Sequence, residues 1–164
     1  MDRAGLIVTV AGALVMVTGG SSAATHSSQG GGGAIDVCAL LPREEAGKIL
    51  GYTVRARPAK RSDGPTECRY AGAMPGTVTV MVGTGTPKAK WDAFMKELKE
   101  SGASLEPAAG VGDGAFFWDA HRLYAHTANY EITVSTSPSP GDDLSKVRAN
   151  SIALAKAIIA KLKG

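Results

Sequence analysis

A chain of 164 residues is long enough for one domain with a substantial core, and 44% hydrophobic with 20% charged residues is an ordinary globular mix. Aromatic residues make up only 5%, so the core must be mostly aliphatic. A formal net charge of +3 is too weak to point to nucleic acid, which asks for a clustered basic face.

Residues 6–17 are an apolar run followed by small residues, with Ser22 and Ala24 placed for cleavage after Ala24. Such a run is too short to span a bilayer comfortably, and the pattern is that of a signal peptide over residues 1–24. The basic N-terminal region is weak, because Asp2 offsets Arg3. A buried core helix is the competing reading, and the N-terminal position and the Gly/Ser tail argue against it. No cysteine follows the apolar run to carry a lipid, and Cys38, preceded by Ile35-Asp36-Val37, lacks the small residues that lipid attachment requires. The expectation is a soluble exported protein, periplasmic or extracellular, with no stable membrane span once the signal is removed. Residues 25–33 (THSSQGGGG) read as a flexible linker containing a solvated His26, and residues 34–164 as a single domain.

Within the domain, Pro42 fits the first turn of a short helix, Glu44 and Glu45 suit its positive end, and Gly51 suits its stop. Strands are expected over residues 52–57, 66–71 and 77–82, the last (TVTVMV) almost continuously β-branched. The loop over residues 58–65 (PAKRSDGP) and Pro75-Gly76 supply the turns. Thr86 as N-cap and Pro87 at the first helical position open a second helix. Its Trp91, Phe94, Met95 and Leu98 fall on one face and its lysines on the other. A short strand at 104–107, a glycine elbow (Gly110, Gly112, Gly114) and strands at 115–118, 122–126 and 130–135 make a meander. Asp142 or Asp143 caps a final helix whose apolar face runs from Leu144 through Leu162. The predicted fold is α+β: a mostly antiparallel sheet with helices packed on one face, in the order α-βββ-α-βββ-α, a recurrence that hints at an internal duplication.

Taken together, Asp36-x-Cys38-x-Leu40-Leu41, Glu45, Leu50-Gly51, Cys68-x-Tyr70, Gly110-Val111-Gly112-Asp113-x-Ala115-Phe116 and an Ala-rich last helix resemble the small exported domains of unknown function found on actinobacterial lipoproteins. The resemblance covers nearly all of the mature chain. It implies an exported α+β domain with one disulfide and carries no established activity. This chain departs from it in lacking the lipid-attachment cysteine.

Cys38 and Cys68 are the only cysteines, too far apart for a CxxC redox motif. In an oxidising compartment the pair reads as a disulfide, against free or metal-bound thiols. His121 and His126, five apart, point to opposite faces of a regular strand, so no metal site is expected. Asp113 reads as an Asx-turn residue shaping the glycine elbow rather than a carboxylate in a cleft. The spacing Gly110-x-Gly112-x-Gly114 is wrong for a dinucleotide loop, and no GxSxG elbow is present. No nucleophile, base and oxyanion set emerges and no cofactor is implied, so the chain is not expected to be an enzyme.

What remains are surfaces. Arg55, Arg57, Lys60 and Arg61 make a basic hairpin suited to an anionic envelope polymer or an acidic protein patch, against a merely solvated loop. Phe116, Phe117, Trp118, Tyr124 and Tyr130 concentrate aromatic area, with Phe117, Trp118 and Tyr124 the candidates for partner contact. The expected function is a non-enzymatic binding or accessory domain acting on a protein or an anionic cell-envelope component, not on nucleic acid. The alternative is a carrier of a small apolar ligand, with its pocket between the sheet and the second and third helices.

Overall fold

The computed structural model describes residues 35–59, 66–72 and 76–164. The expected signal peptide, the linker with His26, most of the 58–65 loop including Lys60 and Arg61, and Pro75 lie outside the described residues.

The described chain opens on Asp36, whose side chain accepts a hydrogen bond from the Ala39 amide at 3.1 Å and caps a single helical turn, α1 (Val37–Leu40). Helix α2 (Arg43–Leu50) follows at once. Pro42, expected in its first turn, stands one place earlier as N-cap, with its carbonyl accepting from the Ala46 amide at 3.0 Å. Gly51 closes α2 in the left-handed conformation.

Three strands come next: β1 (Val54–Ala59), β2 (Thr66–Gly72) and β3 (Thr77–Thr84). Helix α3 (Lys88–Glu100) leads to a two-residue strand β4 (Glu106–Pro107), then β5 (Gly114–Asp119), β6 (Arg122–Thr127), β7 (Tyr130–Ser137) and the long helix α4 (Leu144–Lys163). Pro87, not Thr86, is the N-cap of α3, because the Thr86 carbonyl is engaged by the ring of His126 at 2.8 Å. Of the two candidate caps of α4, Asp143 takes the role, accepting from the Ser145 and Lys146 amides. Those hydrogen bonds, the Ser145 side chain's first among them, hold the Asp143 carboxyl below the usual carboxylate range.

The strands form one antiparallel sheet in the order β1-β2-β3-β7-β6-β5-β4. The meanders β1-β2-β3 and β5-β6-β7 meet along the β3–β7 seam, so the duplicated strand order is visible in space. It does not extend to the helices. Val80, Val134, Leu123 and Phe117 share one face, buried against Leu154, Ala155 and Ile158 of α4 and against Leu41, Ala46 and Leu50. Phe116, of opposite parity, packs instead with Trp91 and Leu98 of α3. Helices α1, α2 and α4 therefore cover one face, and α3 covers only the β5–β6 end of the other.

The first face is fastened at two points. Cys38 of α1 and Cys68 of β2 form a disulfide with their Cα atoms 5.2 Å apart. The buried Tyr70 hydroxyl donates to the Leu41 carbonyl at 2.6 Å. The glycine elbow has an equally local cause. Gly112 has a φ of +58°, and a Cβ there would overlap the His126 carbonyl oxygen. Next to it the Asp113 amide donates to that same carbonyl at 2.8 Å, and the Asp113 carboxylate accepts from Ala128 at 2.7 Å. Asp113 therefore shapes the β6–β7 turn, where Ala128 itself has a φ of +50°.

Candidate functional site

Strand periodicity turns every second side chain away from the helix-covered core, and the register decides which of these meet. On the face opposite α4 the partners align as Arg57 (β1), Arg69 (β2), Thr79 (β3), Ser135 (β7) and Arg122 (β6), one straight row across five strands. At an interstrand spacing of about 4.8 Å the row spans about 19 Å. The next row on the same face is Arg55, Ala71, Thr77 and Ser137. All four arginines are exposed, Thr79 and Ser135 are half-buried, and no described helix lies over them.

The electrostatics of the face are lopsided. Glu67 is buried and its carboxylate lies 2.8 Å from the Arg69 Nε. Among the described residues Arg55, Arg57 and Arg122 form no ion pair. The neighbouring Tyr124 foremost, and Asp119 after it, hold the Arg122 guanidinium above its ordinary pKa.

Tyr124 joins this row to an aromatic corner. Trp118, 39% exposed, lies 5.8 Å from Tyr124 and 6.5 Å from Phe94 of α3 between ring centres. From there the rings continue inward: Tyr124 stacks on Phe116 at 5.3 Å, and Phe116 meets Trp91, which stacks on the buried His126 at 5.3 Å. Trp118 is thus an exposed ring braced by a packed ladder.

Of the residues singled out from the sequence, Arg55, Arg57, Trp118 and Tyr124 come to this face. Phe117 does not: it is 4% exposed, sits in the core under α4, and has the Arg148 guanidinium over its ring at 4.3 Å. Arg69, Arg122, Thr79, Ser135 and Phe94 were not singled out. Their shared parity with Arg57 was readable, but the register that aligns them was not.

A concavity of about 270 Å³ lies between the end of α2, the start of β3 with the end of β7, and the first turns of α4, lined by Leu50, Tyr52, Val78, Asp142, Val147 and Asn150 among others. Burial, and secondarily Asp142, push the Tyr52 hydroxyl's pKa up. Helices α3 and α4 lie on opposite faces of the sheet, so among the described residues no single space lies between the sheet and both of them, as the expected pocket would require. The cleft beside α4 falls below the ~300–1,000 Å³ usual for small-molecule sites, whereas a shallower one of about 720 Å³ lies along α2 and the start of β1, lined by Arg43, Glu44, Lys48, Tyr52 and Arg55 among others.

Compared with known proteins, the chain matches no family model, no curated protein and no solved structure.

Proposed function

We propose that this chain is an exported, non-catalytic binding domain that engages an anionic partner, in the cell envelope or on a protein, through the half of its sheet that no described helix covers. The observation that carries the reading is the cross-strand row from Arg57 to Arg122, with three exposed guanidiniums and two hydroxyl side chains. Arg69 neutralises the buried Glu67, but neither Arg57 nor Arg122 has an ionic partner among the described residues, and like charges directly opposite each other, as Arg57 and Arg69 are, destabilise a sheet. The arrangement makes sense where an anion completes it.

Export is supported by the Cys38–Cys68 disulfide, a bond that persists in oxidising compartments. Among the described residues no helix is long and apolar enough to cross a membrane. The sequence pattern of residues 1–24 is the further support. The resemblance to actinobacterial exported domains points the same way and belongs to this proposal.

The test is to produce the full chain with its own N-terminus in a bacterial host and measure binding of the exported protein to a washed cell-envelope fraction. Intact mass on the exported form is expected to show loss of residues 1–24 and two hydrogens fewer than the reduced chain. Replacing Arg55 and Arg57 together by Gln is expected to weaken envelope binding. Equal binding by this variant and the parent contradicts the reading.

A further inference from the structure

Resting on that reading of the sheet face, we infer that the anionic partner is an acidic polysaccharide, carrying carboxylate or phosphate groups, that lies across the strands from Arg57 to Arg122 and stacks one sugar ring on Trp118.

The direction follows from the register. A ligand running along a strand meets one strand's side chains, whereas the row of arginines and hydroxyls runs perpendicular to the strands. Successive contacts on it recur every ~4.8 Å, close to the advance of an extended glycan per sugar ring. A chain laid along the row meets a new strand with each sugar.

The composition of the row selects the ligand class. Its ends are guanidiniums, which pair with carboxylate or phosphate through a planar fork of donors. Its middle is Thr79 and Ser135, whose hydroxyls both donate and accept and so match the hydroxyls of a sugar. A protein partner asks for something different: an apolar centre with a polar rim. Here the order is inverted. The centre of the row is polar, Met81 in the adjoining row is half-buried beside Thr133, and the exposed aromatic area sits at one corner.

That corner suits a sugar ring. Trp118 presents an indole surface 39% exposed, fixed by Phe94 and Tyr124. Arg122 is the cross-strand partner of Asp119, the residue next to Trp118. A ring stacked on Trp118 therefore brings its acidic substituent close to the exposed Arg122 guanidinium.

The experiment uses the exported chain and four polymers of comparable length: polygalacturonate, its fully methyl-esterified neutral form, a phosphomannan, and poly-L-glutamate as a protein-like polyanion. Binding is followed by calorimetry and by tryptophan emission, to which Trp118 responds because Trp91 is 6% exposed and shielded. The expected result is binding to polygalacturonate, phosphomannan or both, the binding arm identifying the acid. That binding should shift tryptophan emission, weaken with salt and be absent for the methyl ester. Trp118→Ala and Arg57→Gln should each weaken it about tenfold. Both positions are exposed, so both variants are expected to fold, which a thermal melt of each checks. If neither acidic glycan binds, or if poly-L-glutamate binds equally well and W118A changes nothing, the glycan inference is overturned. The broader reading still stands in those cases provided the Arg55/Arg57 double variant loses envelope binding, and falls with it if that binding is unchanged.

Discussion

Arg57 on β1 and Arg69 on β2 are directly opposed partners in the sheet, two like charges on one face, with the buried Glu67 carboxylate 2.8 Å from Arg69. The juxtaposition separates function from stability. Arg57→Thr relieves the repulsion and places a good strand former at an exposed strand position. Its melting temperature is expected to equal or exceed the parent's, with a gain of about 0.2–1 kcal/mol at most, while anion binding falls. A marked loss of stability in R57T would mean that Arg57 is there to hold the sheet together.

Arg69 is expected to behave in the opposite way. Arg69→Ala leaves Glu67, whose side chain is only 5% exposed, without its ionic partner. An uncompensated buried charge is costly, so urea denaturation should show a loss of about 1–3 kcal/mol. Combining it with Glu67→Gln should recover part of that loss.

The disulfide ties α1 to β2 across a sequence separation of 30 residues. Replacing Cys38 and Cys68 together by Ser should cost about 3–4 kcal/mol by the chain-entropy relation. Equal denaturation midpoints for parent and double variant would show that the bridge adds nothing.

Tyr70 gives a pH signature. Burial, with Asp36 and Glu45 adding to it, raises the pKa of its hydroxyl well above the tyrosine range. The folded chain therefore keeps this proton at pH values where the unfolded chain, with a tyrosine pKa near 10, has lost it. The stability that Tyr70 contributes is complete below about pH 10 and drains away as pH rises further. Tyr70→Phe should cost about 1–3 kcal/mol at neutral pH, because the Leu41 carbonyl loses its donor. The variant's stability should then fall less steeply above pH 10 than the parent's.

Gly112→Ala tests the elbow. A left-handed backbone costs an L-residue about 1–2 kcal/mol, and the overlap with the His126 carbonyl adds to it. The variant should unfold at clearly lower urea, whereas Gly51→Ala, with a φ of +81° but no neighbour within reach, should show the conformational cost alone.

These cases also show what a one-dimensional reading reaches. The β-branched run at Thr77, the cap at Gly51 and the cysteine pair are local signals, and each was legible; the cap of α4 was narrowed only to Asp142 or Asp143, and Asp113, read as shaping its own elbow, instead bonds Ala128 in the β6–β7 turn. The alternation of Phe116 with Phe117 was legible too, but not which helix meets which ring. That depends on α3 crossing behind the sheet while α4 returns in front of it. Leu144 lies in register with the apolar stripe of α4 and is nonetheless 44% exposed at the helix start. The arginine row was the least legible part. Its members are scattered from Arg57 to Ser135, and only the pairing of β3 with β7 brings them into line. Arg55 and Arg57 stood out because they are close in sequence, whereas Arg69 and Arg122 carry no local mark.

The most direct measurement is an amide chemical-shift map of the isotope-labelled domain titrated with polygalacturonate. The account predicts that shifts gather on Arg57, Arg69, Thr79, Ser135 and Arg122, together with the Trp118 indole, and leave the far side of the sheet unmoved. Shifts gathered instead around Tyr52, Asp142 and Asn150 would contradict it and assign binding to the cleft between α2 and α4. No shift at any polymer concentration would contradict it as well.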